Sequence, residues 1–129
     1  MNKIENKYSA DANGNLVQTI DQRLSTIDFA YDAVNQLIQK TAPALSAVEG
    51  PGPLTTTFSY DTVGNLTTVV DPDSALGFTY DGASRLISAT DNHTLSPNPL
   101  TLTYTYDKNG NRLSMLALSG TTTYTYDAL

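Results

Sequence analysis

The stretch "TLTYTYDKNGNR", residues 101–112, decides the fold. From Thr101 to Tyr106 threonines alternate with Leu102, Tyr104 and Tyr106, the period-two pattern of a strand with two unlike faces. The run stops at Asp107-Lys108-Asn109-Gly110-Asn111, where Gly and Asn tolerate the positive φ that tight reversals require. "RLSML" then returns beside the first strand. The same five residues also space side-chain oxygens at alternate positions, as calcium loops begin, so a turn and a metal site compete for Asp107 to Asn111.

Comparison of the chain with itself bears on that choice, since repeats set the frame for every other reading. An aromatic residue, a spacer, Tyr and Asp recur as Phe29-Ala30-Tyr31-Asp32, Phe58-Ser59-Tyr60-Asp61, Phe78-Thr79-Tyr80-Asp81, Tyr104-Thr105-Tyr106-Asp107 and Tyr124-Thr125-Tyr126-Asp127, with Tyr8-Ser9-Ala10-Asp11 a degenerate sixth copy. The positions before Asp are 10, 31, 60, 80, 106 and 126, separated by 21, 29, 20, 26 and 20 residues. The base period is about twenty, and the two long intervals hold proline-containing insertions near residues 41–54 and 92–99. After each complete turn comes a variation on Gly-Asn-Leu: Gly14-Asn15-Leu16, Asn35-Gln36-Leu37, Gly64-Asn65-Leu66, Ser84-Arg85-Leu86 and Gly110-Asn111-Arg112-Leu113.

Each unit therefore reads as strand, turn, returning strand and second turn, which is what about twenty residues hold when strands run five or six. Strands joined by tight turns are antiparallel neighbours. The expected fold is all-β: one array over residues 1–129, an antiparallel meander of about six β-hairpin repeats and about eleven strands. One segment opposes this locally. In "AYDAVNQLIQKTA", Ala30, Val34, Leu37, Ile38 and Ala42 fall at helical spacing. The alignment of Phe29, Tyr31, Asp32 and Leu37 with the other copies outweighs it. "PALSAVEG", after Ala42, has room for one helical turn between Pro43 and Gly50.

Composition agrees. Nineteen threonines, eight tyrosines and only 16% charged residues suit pleated, half-buried surfaces. The formal net charge of -6, with no basic cluster, speaks against nucleic acid as a partner. The absence of cysteine excludes disulfides and thiolate chemistry. No stretch approaches the roughly 18 apolar residues of a membrane helix, and "MNKIENKYSADANG" lacks an apolar signal core. "TYTYDAL" stops inside a motif that turns in earlier copies, so the chain is expected to be part of a longer polypeptide with a last repeat that frays.

The motif resembles RHS repeats, also called YD repeats, a family recognised by Tyr-Asp-x-x-Gly-Asn and found in bacterial Rhs toxins, insecticidal toxin-complex C components, wall-associated proteins and animal teneurins. The resemblance covers nearly the whole chain. It implies a curved strip of hairpins that spirals into a hollow shell around a C-terminal cargo such as a toxin, in a secreted or cell-surface protein. The partners it implies are further repeats and the cargo domain of the same polypeptide. The family's self-cleaving aspartates belong to a closing segment that has no counterpart here, so no catalytic residue carries over. Size sets a further bound. Eleven or twelve strands closed on themselves would make a barrel about 20 Å across, too narrow for a folded cargo with a radius of gyration of about 13 Å.

The residues expected to build the architecture are Tyr31, Asp32, Tyr60, Asp61, Gly64, Asn65, Tyr80, Asp81, Tyr106, Asp107, Gly110, Asn111, Tyr126 and Asp127. Calcium is disfavoured, because no distal bidentate carboxylate follows at the required spacing and in other copies Ala33, Val34, Thr62 and Val63 occupy the positions between Asp and the Gly-like residue. No cofactor or metal is expected. Tyr60, Tyr80 and Tyr106 are expected to be largely buried on one face, so that truncation to Ala would cost about 3 kcal/mol or more. An exposed aromatic face would instead suit a module that binds carbohydrate or a cell-surface protein. Catalysis has little support: His93 stands alone in "DNHTLSPNP", and a proline turn accounts for Asp71-Pro72-Asp73. Asn65-Leu66-Thr67 and Asn92-His93-Thr94 match glycosylation acceptors. Two unprotected sheet edges should make the isolated chain prone to association.

Overall fold

The computed structural model describes residues 7–20, 25–43, 52–92 and 99–127. These hold eleven strands: β1 (Lys7–Ala10), β2 (Leu16–Ile20), β3 (Thr26–Tyr31), β4 (Leu37–Ala42), β5 (Leu54–Tyr60), β6 (Leu66–Val70), β7 (Ala75–Tyr80), β8 (Leu86–Asp91), β9 (Leu100–Tyr106), β10 (Arg112–Ala117) and β11 (Gly120–Thr123). Among the described residues there is no helix, and none long and apolar enough to cross a membrane. The helical turn anticipated after Pro43, and His93, lie outside the described residues.

The chain forms two compact units, Met1–Ser59 with Val70–Pro72, and Tyr60–Val69 with Asp73–Leu129. Within each, strands lie side by side in chain order as an antiparallel meander. In the first, Tyr8 of β1 faces Thr19 of β2, Thr19 faces Ile27 of β3, Phe29 faces Lys40 of β4, and Ala42 faces Leu54 of β5. The helical spacing around Val34 thus yields to a hairpin, with Tyr31 opposite Leu37. In the second, Phe78 of β7 faces Ala89 of β8, Ala89 faces Leu102 of β9, Tyr104 faces Met115 of β10, and Met115 faces Thr122 of β11.

Directly opposed residues share a face, so this register collects Leu76, Phe78, Leu86, Ala89, Leu102, Tyr104 and Met115 on one side of the second unit. Hydroxyls collect on the other. Thr90 and Thr101 approach to 3.3 Å, and Thr105 and Ser114 to 2.6 Å, in cross-strand hydroxyl pairs. The first unit repeats the device with Thr41 and Thr55 at 3.4 Å.

The returning strands carry a feature that simple alternation does not anticipate. Ala10 pairs with Leu16 but Ser9 with Gln18; Tyr31 with Leu37 but Ala30 with Gln39; Tyr80 with Leu86 but Thr79 with Ser88; Tyr106 with Arg112 but Thr105 with Ser114. One extra residue, Val17, Ile38, Ile87 or Leu113, is thus inserted immediately after the first residue of the return. Such a bulge switches face for every later residue of its strand. It also fixes the alignment of the last complete copy: Arg112, and not Leu113, takes the place of Leu16, Leu37 and Leu86.

No described hydrophobic or polar residue is fully buried. Among the described residues the strands contact their sheet neighbours, so within each unit the sheet is a single open layer. This corrects the expectation of largely buried Tyr60, Tyr80 and Tyr106, which are half-buried. The reason is geometric. A one-layer sheet buries side chains only against cross-strand neighbours, so alanine at these tyrosines should cost less than the roughly 3 kcal/mol of a core aromatic.

The turns close with one residue in the left-handed region: Gly14 (φ 86°), Asn35 (64°), Gly64 (95°), Ser84 (58°) and Gly110 (92°). No atom lies within 4 Å of where a Cβ would stand at Gly110, so the cost of substitution there is torsional. Gly110→Ala is expected to lower the unfolding free energy by about 1–2 kcal/mol. Gly110→Asn, the residue accommodated at position 35, should cost less than half as much, as measured by chemical denaturation of both variants.

Candidate functional site

Each Tyr-Asp turn is organised by its aspartate. In the turn that follows β9, the Asp107 amide donates to the Asn111 carbonyl at 2.9 Å, and the Gly110 amide to the Asp107 carbonyl at 3.1 Å. Asp107 Oδ1 accepts the Asn109 and Asn111 amides, both at 2.8 Å, and Oδ2 accepts Asn111 Nδ2 at 2.9 Å. A single carboxylate thereby satisfies two backbone donors that a tight reversal would otherwise leave to solvent.

The same pattern recurs. Oδ1 of Asp11 accepts from the amides of Asn13 and Asn15, that of Asp32 from Val34 and Gln36, that of Asp61 from Val63 and Asn65, and that of Asp81 from Ala83 and Arg85. To the aspartate the residue two further on contributes only its amide, which is why Asn13, Val34, Val63, Ala83 and Asn109 all serve there. The residue four after Asp adds a side-chain donor to Oδ2 in four turns: Asn15, Asn65 and Asn111 at 2.9 Å and Arg85 Nε at 2.7 Å. With both oxygens occupied by their own turn, these carboxylates are the caps of reversals. Among the described residues no three His, Cys, Asp or Glu side chains are grouped as metal ligands.

These bonds favour the ionised form. The Asn15, Asn65 and Asn111 amide groups hold the carboxyls of Asp11, Asp61 and Asp107 below the ordinary carboxylate value, with the turn amides adding to the effect. At Asp81 the Arg85 backbone amide is the largest cause, followed by its side chain.

Neighbouring turns are cross-linked in both directions. Forward, Asn13 and Asn15 Nδ2 donate to Asn35 Oδ1 at 3.0 and 2.8 Å, Asn65 Nδ2 to Ser84 Oγ at 3.1 Å, and Arg85 Nη1 to the Asp107 carbonyl at 2.9 Å. Backward, four of the tyrosines that precede Asp donate their hydroxyls to the first carbonyl of the preceding hairpin's return strand. Tyr31 reaches Leu16 at 3.0 Å, Tyr80 reaches Leu66 at 2.8 Å, Tyr106 reaches Leu86 at 2.8 Å and Tyr126 reaches Arg112 at 2.9 Å. That carbonyl lies beside the turn and the bulge, where the ladder is interrupted, and the hydroxyl occupies it.

Sequence reasoning assigned these tyrosines to packing and missed the hydroxyl. The signal is present, however. Two residues before Asp the complete copies accept Phe29, Phe58 and Phe78 as well as Tyr104 and Tyr124, whereas immediately before Asp all five carry Tyr. Only the second position needs an oxygen. Two arginines extend the network. Arg85 lies over the Tyr106 ring at 4.8 Å, and Arg112 lies 4.6 Å from the Tyr124 ring and 5.8 Å from that of Tyr104. Tyr124 and Tyr126 follow the last strand, yet the Tyr124 amide donates to the Leu113 carbonyl at 2.9 Å, continuing the ladder one residue past β11. Asp127 closes the described chain.

The fold and turns define an antiparallel hairpin-repeat array bound together through its Tyr-Asp motif. Residues 60–95 match the family model described as RHS Repeat. The match spans the Tyr60 and Tyr80 turns and supports the resemblance read from the sequence. Among solved structures the chain is similar to a crystal structure of TcdB2-TccC3-Cdc42, with a TM-score of 0.72 and 21% identity over 87% of this chain and 5% of that one. It is also similar to a crystal structure of TcdB2-TccC3 without its hypervariable C-terminal region, with a TM-score of 0.71 and 19% identity over 86% of this chain and 7% of that one. The likeness is one of fold, and the chain spans a small fraction of either of those chains. No curated protein matches the sequence.

Two outcomes test the site. Tyr106→Phe removes one hydroxyl and leaves the Leu86 carbonyl without it, so the unfolding free energy should fall by about 1 kcal/mol. Tyr104→Phe, which removes no described hydrogen bond, should be close to neutral in the same denaturation experiment. Because Asp11, Asp61, Asp81 and Asp107 have carboxyl pKa values lowered by folding, their contribution is complete above the unfolded value of about 3.9 and is lost as pH falls through the folded values below it. Stability should therefore be level above about pH 5 and decline only in the acid range. A Tm series from pH 2 to pH 7 measures this.

Proposed function

We propose that this chain is a non-catalytic wall segment of an RHS-type β-shell, in a longer secreted or cell-surface protein that encloses a toxin or other C-terminal cargo. The carrying observation is the two-way link between successive turns: Tyr31, Tyr80, Tyr106 and Tyr126 bond backward while Asn15, Asn65 and Arg85 bond forward. Those links tie successive hairpins together within each unit, and among the described residues one face of the sheet is apolar. The residues that work are architectural: Tyr31, Asp32, Tyr60, Asp61, Gly64, Asn65, Tyr80, Asp81, Tyr106, Asp107, Gly110, Asn111, Tyr126 and Asp127. The partners are further repeats and the cargo of the same polypeptide. The similarity to TcdB2-TccC3, whose crystal structure was obtained without a hypervariable C-terminal region, supports the reading through its fold.

A carbohydrate- or cell-surface-binding module is the second reading, favoured by the half-buried state of Phe78 and Tyr104. Limited proteolysis of the full natural polypeptide that contains this segment distinguishes the two. The region after the array should resist cleavage in the intact protein and be cut readily when expressed alone. Equal cleavage rates in the two contexts would overturn enclosure. Glycan-array signals lost on Tyr104→Ala in a folded sample would select the second reading.

A further inference from the structure

On the apolar side of the second unit, Leu76, Phe78, Ala89, Asp91, Leu100 and Leu102 line a groove of about 170 Å³. Asp91 stands directly between Leu76 of β7 and Leu100 of β9, in a row where cross-strand neighbours on both sides are leucine. Its Oδ1 is buried and has no hydrogen-bond partner. Burying a carboxylate oxygen against apolar groups without a donor is costly, and such an atom calls for an explanation in a ligand or partner.

The repeat itself shows that the fold does not require a carboxylate at this place. Counting five residues from the start of the return strand, Ala42 and Ala117 hold the positions equivalent to Asp91. Asp71 holds it in a third copy, but there the residue has an interacting partner. At Asp91 alone among the described copies is a carboxylate oxygen buried without a hydrogen-bond partner, in a residue that lines an apolar groove.

The groove's size limits its occupant. Small-molecule sites usually run from about 300 Å³ upward, so this one suits a single long side chain and not a whole ligand. Leucines and a phenylalanine in the lining, with the Asp91 carboxyl group among them, match a side chain that has an aliphatic stem and a cationic head. Arginine fits best, because its guanidinium is less strongly hydrated than an ammonium and presents several donors to a carboxylate.

We propose that the Asp91 groove receives an arginine side chain from an extended polypeptide segment lying on the apolar face of this sheet. Apolar residues flanking the arginine cover Phe78 and Leu102, and the guanidinium donates to Asp91 Oδ1. The inference rests on the reading that this face meets polypeptide, and adds to it a charge requirement at a single position. In a chain of net charge -6 it also gives the face a preference for basic segments.

The test uses the full 129-residue chain and two blocked peptides, acetyl-Leu-Arg-Leu-amide and acetyl-Leu-norleucine-Leu-amide, titrated while following methyl resonances of Leu76, Leu100 and Leu102. The arginine peptide is expected to bind at least about tenfold more tightly, corresponding to one charge-assisted hydrogen bond. Asp91→Asn should remove most of that preference. Asp91→Leu should abolish it while leaving Tm unchanged or raised, since the unpaired oxygen is gone, which separates loss of binding from loss of folding. Equal binding of the two peptides would overturn the Asp91 assignment while leaving enclosure by the sheet intact. Failure of both to bind would overturn it as well, and so would an arginine preference that survives in Asp91→Asn.

Discussion

The structure depends first on a carboxylate accepting hydrogen bonds from the backbone of its own turn. Asp Oδ1 takes the amides two and four residues ahead, and the Asp amide donates to the carbonyl four ahead, so that the five residues from Asp107 to Asn111 have few conformations left. The left-handed residue at the fourth place completes the reversal. The turn geometry in turn sets the register, since Tyr106 is brought opposite Arg112 and the next pair is displaced by a bulge. Every later face assignment in the return strand follows from that displacement. A repeat whose turn formed with a different register would present serines and threonines where Ala89 and Met115 now meet Phe78 and Tyr104.

Such a turn holds one hairpin, and a hairpin alone is marginal in water. Cohesion between hairpins comes from a second set of bonds that run in opposite senses: a side chain four residues after Asp donates forward, and the next tyrosine donates back. Each contact is a modest stabilisation of about 1 kcal/mol, but each also fixes how one repeat sits on its neighbour, the nearest-neighbour coupling that repeat proteins rely on. Where the side chain varies, the function persists through different chemistry. Arg85 replaces Asn and bonds to its own Asp81 at 2.7 Å, to the next turn's carbonyl, and to the face of Tyr106.

Much of this was legible in the sequence, for reasons that differ by residue. Period-two alternation in Thr101 to Tyr106 marks a strand because side chains in a strand alternate faces, and five Tyr-Asp copies mark turns because Gly, Asn and Ser cluster where φ is positive. Repetition decided the case of Val34 to Ala42, where local spacing alone favours a helix. The bulges were not legible. Ile38, Ile87 and Leu113 look like ordinary strand residues, and only pairing across the hairpin reveals that each is supernumerary. The tyrosine hydroxyls went unread because a tyrosine on an apolar face satisfies a packing argument completely, and the oxygen's role appears only when the position is compared with its Phe-tolerant neighbour. Burial was overestimated for a related reason: an apolar stripe shows which face is apolar, and says nothing of whether a second layer covers it.

The bonds between turns also give the array a direction. A hairpin offers a tyrosine hydroxyl on its leading strand and a carbonyl acceptor at the start of its return strand, so its two edges are different surfaces and successive contacts are head-to-tail. Contacts of that kind extend without closing unless the rotation per unit returns the chain to its start. The first hairpin shows the asymmetry directly. Leu16 accepts the Tyr31 hydroxyl, but Ala10, at the place of a tyrosine, has no hydroxyl to send the other way. At the other end of the described array, Tyr124 and Tyr126 are anchored to β10 through the Leu113 and Arg112 carbonyls. The sense of the tyrosine bond, hydroxyl back to carbonyl, is thus the same at Tyr31, Tyr80, Tyr106 and Tyr126, and the array has a head and a tail.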